Sequence, residues 1–594
     1  MNLNRPFNSV SEFIRILTTR KLNYANSFVT DPPAVSIISS FYNVPEEYFI
    51  QANNSIAHQT WQNYEWIIVD DRSTTPEAQK LFDRLPQLNS KIKPFRRQKN
   101  GGLAAGRNTG IAKARGKYLF FMDTDDLLEP TFIEKCVIFL ETHPDFSFVN
   151  SYSVGFQAQE YWWTNGFNRP SKFIEQNWVT GRLLYRKEDF DRLGGFDEEL
   201  RFYEDWEMWL KAISNRQKGW TIPEYLDCYR RTNSGLLASS RQKVTEEQRV
   251  TNLIKSRYQK FFEENHLADI YLERPMFDVS QLRQRIQVKN QLYLNKNGKR
   301  VLCWLPHMEV GGADKFNLDL FAGLQQKGYD FTIVTTVSAR NLWQERFYQI
   351  TPDLFHLPRF LHYGHWLTFA CYLIESRQID IVFISNAYYA YYLLPILRQE
   401  FPEVAFVDYT HTEDPNWRKG GYPRVSCQFT DFLDCQLVTS VYLANYYQGL
   451  KPNIQNKLKV CHINVDKNKW QFSQQKRKEY RQKLGISDNI VLIIFPARIT
   501  QQKRPLFLID IIDKLKQKSL PISIVTLGTG DMFDLFRSKI NSLGLESVFK
   551  ILSHVSPEEM SGYYSASDIF LLPSEYEGIS LAIYEAMAMG LPIV

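Results

Sequence analysis

Acidic residues follow two apolar runs in the first quarter of the chain, and their spacing could serve a metal ion and a nucleotide. Asp123 and Asp125 stand two residues apart at the end of the apolar run 118–122. Carboxylates at this spacing can point together at Mg²⁺ or Mn²⁺, which usually bridges to a diphosphate. Asp70 and Asp71 end an earlier run and could bind a base or ribose. A solvated acidic turn and plain helix capping are the structural alternatives.

A third acidic pair, Glu204 and Asp205, opens a helical pattern. A carboxylate that removes the proton of an acceptor hydroxyl lets the oxygen attack a sugar carbon in one displacement. Acidic residues in the first turn of a helix also interact favourably with the helix dipole. The pair is therefore a candidate general base, with a purely structural role as the alternative.

Charged residues near the end of the chain form a second candidate site. Arg498 and Lys503 lie five apart after a predicted strand, where a guanidinium and an ammonium group can converge on a diphosphate. Glu577 and Glu585 lie eight apart, with Gly578 between them. Glu585 is predicted in a helix among apolar neighbours, and a buried carboxylate there needs partners such as ribose hydroxyls. A solvated basic loop and an exposed helical glutamate are the alternatives.

Two glycine-containing turns could bring the backbone close to a ligand. Gly311 and Gly312 follow a predicted strand and precede a helical pattern, whose N-terminus favours anions. Gly528 and Gly530 follow another strand, but no third glycine completes a dinucleotide fingerprint. This argues against an NAD-dependent enzyme.

These residues need parallel strands to position them. Short apolar runs at 34–40, 66–69 and 118–122 alternate with helical patterns such as 45–59 and 104–114. Strands that alternate with helices indicate a parallel sheet covered by helices. Ligands of such sheets bind beyond the carboxyl ends of the strands, where the acidic pairs lie.

The same alternation resumes after a polar, charged stretch. It predicts two more doubly wound domains, with strands at 300–305, 331–335, 379–384, 404–407, 436–439, 489–495, 522–527, 549–552 and 568–572. We therefore expect an α/β protein with these parts: an N-terminal helical extension (1–32), a first α/β domain (33–231), a helical linker region (232–298) and two further α/β domains (299–466 and 467–594). The last run, 591–594, resembles the start of a strand, so the final domain is expected to be incomplete.

Composition excludes several classes. The chain has 594 residues, 44% hydrophobic and 23% charged, which is ordinary globular composition. Its net charge of +6 is too small over this length to indicate nucleic-acid binding. Seven cysteines without CxxC spacing favour a reducing compartment. No secretory signal or membrane-spanning run is found, so a cytoplasmic location is expected. Residues 9–22 could form a basic amphipathic helix that packs on the first domain or contacts the inner face of a membrane.

The first domain resembles glycosyltransferase family 2 over about residues 33–230. The resemblance is carried by 36–43, 69–73, 100–108, 123–125, 193–197 and the pair 204–205. It implies an A-type glycosyltransferase fold and an inverting transfer from a nucleotide sugar. It implies donor binding by Asp70, Asp71, Arg107 and Asp123, a metal at Asp123 and Asp125, and catalysis by Asp205 with Glu204. Arg72 departs from the family, which usually has Gly or Asn there.

Residues 299–594 resemble glycosyltransferase family 4, whose B-type fold has two facing Rossmann-like domains. The resemblance is carried by Gly311, Gly312, His411, 464–466, Arg498, Lys503, 528–530, Glu577 and Glu585. It implies a retaining, metal-independent transfer. Arg498 and Lys503 would bind the diphosphate, Glu585 the ribose and Glu577 the sugar, with Gly311, Gly312 and Gly528 in the donor site and His411 facing the sugar.

Together the two resemblances predict a bifunctional glycosyltransferase that uses nucleotide sugars, with Mn²⁺ or Mg²⁺ in the first module. The expected acceptor is a glycan or a lipid-linked glycan, in the synthesis of surface polysaccharide, lipopolysaccharide or glycolipid. The alternative is that one module has lost catalysis and serves as a carbohydrate- or nucleotide-binding scaffold for the other.

Overall fold

The computed structural model describes residues 7, 9–19, 24–27, 30–233, 244–272, 286, 289–290, 292–294, 298–553 and 555–594. Its contacts form two compact units, 1–310 with 318–405 and 311–317 with 406–594. Across the described segments, no helix combines the length and the apolar character needed to cross a membrane. The predicted linker 232–298 lies partly outside the described residues.

The first module is built on a mixed sheet. Four parallel strands form one side, in the spatial order Ile92–Arg96, Tyr64–Asp70, Val35–Phe41 and Tyr118–Phe121. Tyr64–Asp70 is buried along its whole length, as expected for a parallel sheet covered on both faces. These strands confirm the three strands predicted for this domain and align their carboxyl ends.

The other side of this sheet was not anticipated from the sequence. Leu184–Arg186 pairs antiparallel with Tyr118–Phe121 and with Phe148–Gln157. The order continues with Phe148–Gln157, Gly219–Arg231 and Leu127–Leu128, while Tyr161–Trp163 pairs with Phe148–Gln157. The strands after Phe121 thus fold back beside the predicted metal-binding loop.

Helices cover the sheet and carry several site residues. In chain order they are Glu46–Ala57, Pro76–Asp83, Leu85–Leu88, Gly102–Ile111, Phe132–Thr142, Lys187–Asp191, Glu204–Ser214 and Val244–Glu264. Gly102–Ile111 and Glu204–Ser214 begin at the carboxyl end of the sheet and supply Arg107, Glu204 and Asp205.

The amphipathic segment near the N-terminus is a helix, Val10–Thr19, and residues 20–22 of its predicted extent lie outside the described residues. Val10, Phe13 and Ile16 are buried in a cluster with Val154 and other apolar residues. Its apolar face is therefore packed on the protein, as one of the two expectations had it.

The second module begins with a parallel sheet within the first unit. Its strands are Arg300–Leu305, Asp330–Thr335, Leu354–His356 and Ile381–Ser385. The accompanying helices are Gly312–Gln325, Gln344–Ile350, Leu357–Phe360, Trp366–Arg377, Tyr388–Tyr391 and Leu394–Glu400.

The second unit contains two further parallel arrangements. One has strands Ala405–Thr410, Cys435–Val438 and Leu458–Val460 with helices Gly421–Gln428 and Val441–Leu450. The other has strands Phe549–Leu552, Ile522–Leu527, Val491–Phe495 and Ile569–Phe570. Its helices are Gln474–Leu484, Pro505–Gln517, Phe533–Ser542, Met560–Ala566 and Leu581–Ala588. Ile593 forms a parallel β-bridge with Phe570, within the run 591–594 that was predicted to begin a strand.

Buried charges join the first module to the early part of the second. Arg377 donates from Nη1 and Nη2 to the two carboxylate oxygens of Glu134, at 2.6 and 2.7 Å. Nη2 also donates to Asp353 at 2.8 Å. The side chains of Arg377 and Glu134 are 1% and 0% exposed. Such charges are stable away from water only because they are paired and hydrogen-bonded, so this junction depends on all three residues.

Candidate active sites

The first predicted acidic pair fixes a loop at the sheet edge. Asp71 accepts hydrogen bonds from the backbone N–H groups of Gly101 and Gly102, at 3.0 and 2.7 Å, and from Arg97 at 2.7 Å. Asp70 accepts from Arg96 Nε at 2.9 Å. Both carboxylates are buried. Asp71 thus holds the chain at the start of helix Gly102–Ile111, and Asp70 pairs with Arg96; nucleotide binding by both residues stays a prediction.

Arg72 adopts the left-handed backbone conformation, with φ of 66°. Glycine and asparagine enter this region more readily than other residues. Arg72 therefore stands at a position whose backbone conformation favours glycine or asparagine, the residues that the family usually has there. Its side chain is exposed, so the departure does not disturb the core.

Arg107 brings the second and third acidic groups together. Its Nη2 donates to Asp123 at 3.0 Å and its Nη1 donates to Glu204 at 2.8 Å. Burial disfavours the guanidinium charge, but Asp123, Glu204 and Asp205 outweigh this effect and raise the pKa of Arg107. One buried cation thus links the predicted metal ligand to the predicted catalytic pair, which lie 81 positions apart in the sequence.

The two members of the catalytic pair have different surroundings. Glu204 is buried, and burial raises its pKa to about 7, although Arg107 opposes the shift. Asp205 is half-buried and accepts from Asn177 Nδ2 at 3.1 Å and from the backbone N–H of Trp206 at 2.7 Å. Burial also raises the pKa of Asp205. Asp205 is therefore the more accessible carboxylate, and Glu204 holds Arg107.

A glycine lies beside Arg107 and Asp205. A Cβ atom built on Gly181 would lie 3.5 Å from Arg107 Nη2 and 3.6 Å from the Asp205 carboxylate. These are ordinary contact distances, so a larger side chain at this position would cover both groups. The backbone at Gly181 therefore lies directly beside Arg107 and Asp205.

Asp125 lies next to a buried ionic network that the sequence did not reveal. Burial, together with Asp123, raises the pKa of Asp125 to about 6. Behind it, Arg182 pairs with Asp126 and donates from Nε to Asp227 at 2.5 Å. The only local signal was the position of Asp126 beside the predicted ligands, because its partners come from later loops and strands.

The predicted metal site has few protein ligands. Among the residues with described positions, no group of three or more His, Cys, Asp or Glu side chains is arranged to hold a metal. Asp123 and Asp125 alone would therefore contribute, and diphosphate and water would complete the shell, as is common for Mg²⁺. Burial is the main cause of the raised pKa of Asp125, and the charge of Asp123 adds to it; a divalent cation between the two carboxylates would offset the second effect. Carboxylate ligands suit such an ion, and metal binding by Asp123 and Asp125 stays a prediction.

In the second module, Lys503 and Glu577 are in direct contact. Lys503 Nζ donates to a carboxylate oxygen of Glu577, and their side chains are 13% and 23% exposed. Arg498 is exposed in the loop that follows the strand Val491–Phe495. The structure therefore brings Glu577, the residue predicted to bind the sugar, into contact with Lys503, one of the two residues predicted to bind the diphosphate. The Arg498 guanidinium is open to solvent.

Glycines pack the loops of this site tightly. A Cβ atom on Gly578 would lie 2.1 Å from the carbonyl oxygen of His411, and one on Gly528 would lie 2.5 Å from that of Ala497. Gly528 also has φ of 143°. No larger residue fits at either position without a shift of the backbone. Gly578 thus sets the Glu577 loop directly against the chain at His411.

His411 is buried against aromatic rings. Its ring centroid lies 4.8 Å from Tyr409 and 5.4 Å from Phe316. Burial lowers the pKa of His411 to about 3, so the imidazole is neutral at physiological pH. A neutral imidazole can both donate and accept a hydrogen bond, which suits a sugar hydroxyl.

The remaining predicted residues lie in or beside two helices, Gly312–Gln325 and Leu581–Ala588. Tyr564 donates its hydroxyl hydrogen to Glu585 at 3.0 Å, and Glu585 is half-buried. Gly311 and Gly312 lie at the start of helix Gly312–Gln325. A Cβ on Gly312 would meet only Leu581, at 3.8 Å, so packing within the described residues does not demand glycine there. Donor binding by these residues stays a prediction.

The sequence patterns of two known families match the chain. Glycosyl transferase family 2 matches residues 36–193, and Glycosyl transferases group 1 matches residues 476–594. The chain belongs to the glycosyltransferases: a family 2 module is joined to a group 1 module. The predicted fold class, an A-type glycosyltransferase fold followed by a B-type fold, is confirmed.

Curated relatives carry the same assignment. The uncharacterised glycosyltransferase MJ1057 of Methanocaldococcus jannaschii is 27% identical over 34% of this chain and 72% of its own. The uncharacterised glycosyltransferases YwdF and EpsJ of Bacillus subtilis are each 30% identical, over 30% and 34% of this chain and 68% and 63% of their own. The chain therefore spans less than two thirds of EpsJ.

Solved structures also resemble parts of the chain. HepE of Anabaena, in complex with UDP and glucose, has a TM-score of 0.41 and 18% identity over 50% of this chain and 80% of its own. Staphylococcus aureus TarS 1–349, in complex with UDP, has a TM-score of 0.30 and 21% identity over 37% of this chain and 65% of its own.

Proposed function

We propose that the chain is a bifunctional glycosyltransferase, with an inverting, metal-dependent first module and a retaining, metal-independent second module. The observation that carries the proposal is the convergence of Asp205, Arg107 and Asp123 at the carboxyl end of the first sheet. Both modules would take nucleotide sugars. The acceptor would be a glycan or lipid-linked glycan of a surface polysaccharide, lipopolysaccharide or glycolipid, met in the cytoplasm or at the inner face of the membrane.

In the first module, Asp205 is the general base. Its carboxylate takes the proton of the acceptor hydroxyl, the acceptor oxygen attacks the anomeric carbon, and the bond from that carbon to the diphosphate oxygen breaks. Attack from the face opposite the leaving group inverts the configuration. The raised pKa of Asp205 brings its basicity closer to neutral pH, which favours proton transfer in the transition state.

Asp123 and Asp125 would hold the Mn²⁺ or Mg²⁺, which when bound offsets the charge of the departing diphosphate. Arg107 holds Asp123 in place at 3.0 Å and is itself held by Glu204 at 2.8 Å. Glu204 is thus a positioning residue that ties the donor end of the site to the base.

In the second module, Lys503 and Arg498 would bind the diphosphate and stabilise its charge as the bond to the sugar breaks. The acceptor attacks from the same face, so the configuration is retained. The contact between Lys503 and Glu577 supports this assignment, because it places a cation next to the carboxylate expected at the sugar. Neutral His411 would bind a sugar hydroxyl, and Glu585 the ribose.

Separate substitutions test the two modules. The full chain is incubated with UDP-, GDP-, ADP- and dTDP-sugars, with Mn²⁺ or with EDTA, and nucleoside diphosphate release is measured. Asp205→Asn should lower the Mn²⁺-dependent release at least tenfold. Glu577→Gln should lower the EDTA-resistant release at least tenfold. Asp191→Asn and Glu546→Gln change exposed carboxylates outside both sites and serve as matched controls.

The scaffold alternative gives a different result in the same assay. If one module only binds ligands, a single activity is present and only one of the two substitutions removes it. If neither substitution changes release, or if wild-type protein releases nothing from any donor, the proposed assignment of residues is wrong.

A further inference from the structure

A cavity of about 260 Å³ lies where the first module meets residues 357–363 of the second. Drug-sized ligands occupy pockets of roughly 300–1,000 Å³. A neighbouring cavity of about 10 Å³ has room for little more than one water molecule. The larger cavity therefore has room for one small ring rather than a chain, and none of the predicted site residues lines it.

Aromatic rings form much of its wall. Trp220 comes from the first module, Tyr271 from the segment after it and Tyr363 from the second module. Tyr271 is 78% exposed, an unusual state for so large a side chain. Flat aromatic faces next to a few polar groups suit ligands that have one apolar face and hydroxyls at the edge.

The polar groups of the wall are His143, His362 and Arg359. Burial lowers the pKa of His143, so its imidazole is neutral at pH 7. Arg359 lies 4.0 Å from the carboxylate of Glu224, which also accepts a hydrogen bond from Lys135 at 2.9 Å. The wall therefore offers a neutral imidazole at His143, a second imidazole at His362 and one guanidinium group, all of which can form hydrogen bonds to hydroxyls.

We propose that this cavity binds one neutral pyranose ring, as an anchoring site for the glycan acceptor at the junction of the two modules. The aromatic faces would cover the C–H face of the ring, and Arg359 with the imidazoles would bind its hydroxyls. That the pyranose belongs to an acceptor rests on the proposed function, whereas the binding of a pyranose does not.

Saturation-transfer NMR on the full chain tests the proposal. The probes are methyl glucopyranoside, methyl galactopyranoside and N-acetylglucosamine. At least one should give a signal that falls threefold or more in Tyr271→Ala and in Tyr363→Ala. Tyr442→Ala is the matched control, since Tyr442 is 65% exposed and does not line the cavity. Because Tyr271 is exposed, its removal leaves the core intact.

Three outcomes would overturn the proposal: no signal from any of the three sugars, signals that persist in Tyr271→Ala and Tyr363→Ala, or displacement of the sugars by millimolar inorganic phosphate, which would mark an anion site. Nucleoside diphosphate release is measured on the same samples. Release without Tyr271-dependent binding refutes the cavity site alone. Binding without release refutes the proposed transfer alone.

Discussion

Arg377→Met tests whether buried charge holds the two modules together. Arg377 forms hydrogen bonds of 2.6 and 2.7 Å to Glu134 and of 2.8 Å to Asp353, and all three side chains are at most 5% exposed. Removing the cation leaves two buried carboxylates facing each other. Loss of one partner from a buried ion pair costs about 3–5 kcal/mol. We expect Arg377→Met to lower the free energy of unfolding by this amount.

The measurement is guanidinium denaturation followed by tryptophan fluorescence. Arg340→Met, at an exposed position of the same segment, should change the free energy of unfolding by less than about 0.5 kcal/mol. Adding Glu134→Gln to Arg377→Met removes one of the uncompensated charges and should recover about 1 kcal/mol or more. A loss below about 1 kcal/mol in Arg377→Met, or no recovery in the double variant, would refute the reasoning.

Three further predictions concern the active sites. Arg72→Gly should stabilise the protein by about 1 kcal/mol in the same denaturation assay, because glycine adopts φ of 66° without strain, and a loss of stability would contradict this. Gly578→Ala should abolish the EDTA-resistant activity and spare the Mn²⁺-dependent one, since its Cβ would collide with His411. Acidification should inactivate the first module at a higher pH than an ordinary aspartate (pKa of about 4) would allow, because the pKa of Asp205 is raised; Asn177→Ala should raise that midpoint further.

Local patterns were sufficient for the parts of the fold whose burial is continuous. The strands Val35–Phe41, Tyr64–Asp70 and Ile522–Leu527 are apolar because helices cover both of their faces, so the sequence displays them directly. The acidic residues at the carboxyl ends of Tyr64–Asp70 and Tyr118–Phe121 could be located for the same reason. Local patterns therefore predicted the parallel strands named here and the candidate residues that follow strands, but not the other side of the first sheet.

Long-range polar contacts could not be predicted in this way. Gly219–Arg231 contains Pro223 and Asp227, which argue locally against a strand, yet Asp227 is buried because Arg182 and Thr180 satisfy its carboxylate. The link from Glu204 through Arg107 to Asp123 likewise joins separate elements. Partners of this kind are not separated by any fixed number of residues in the sequence, so only the folded structure identifies them.

The separation of Glu134 from Arg377 along the chain has a consequence during synthesis. The two residues are 243 positions apart. At about 5–20 residues per second, a ribosome needs roughly 10–50 s to add the second after the first. During that interval Glu134 lacks the counter-ion that pairs with it in the complete chain. We therefore expect this module to finish folding only after residue 377 has left the ribosome, in contrast to domains that fold as each emerges.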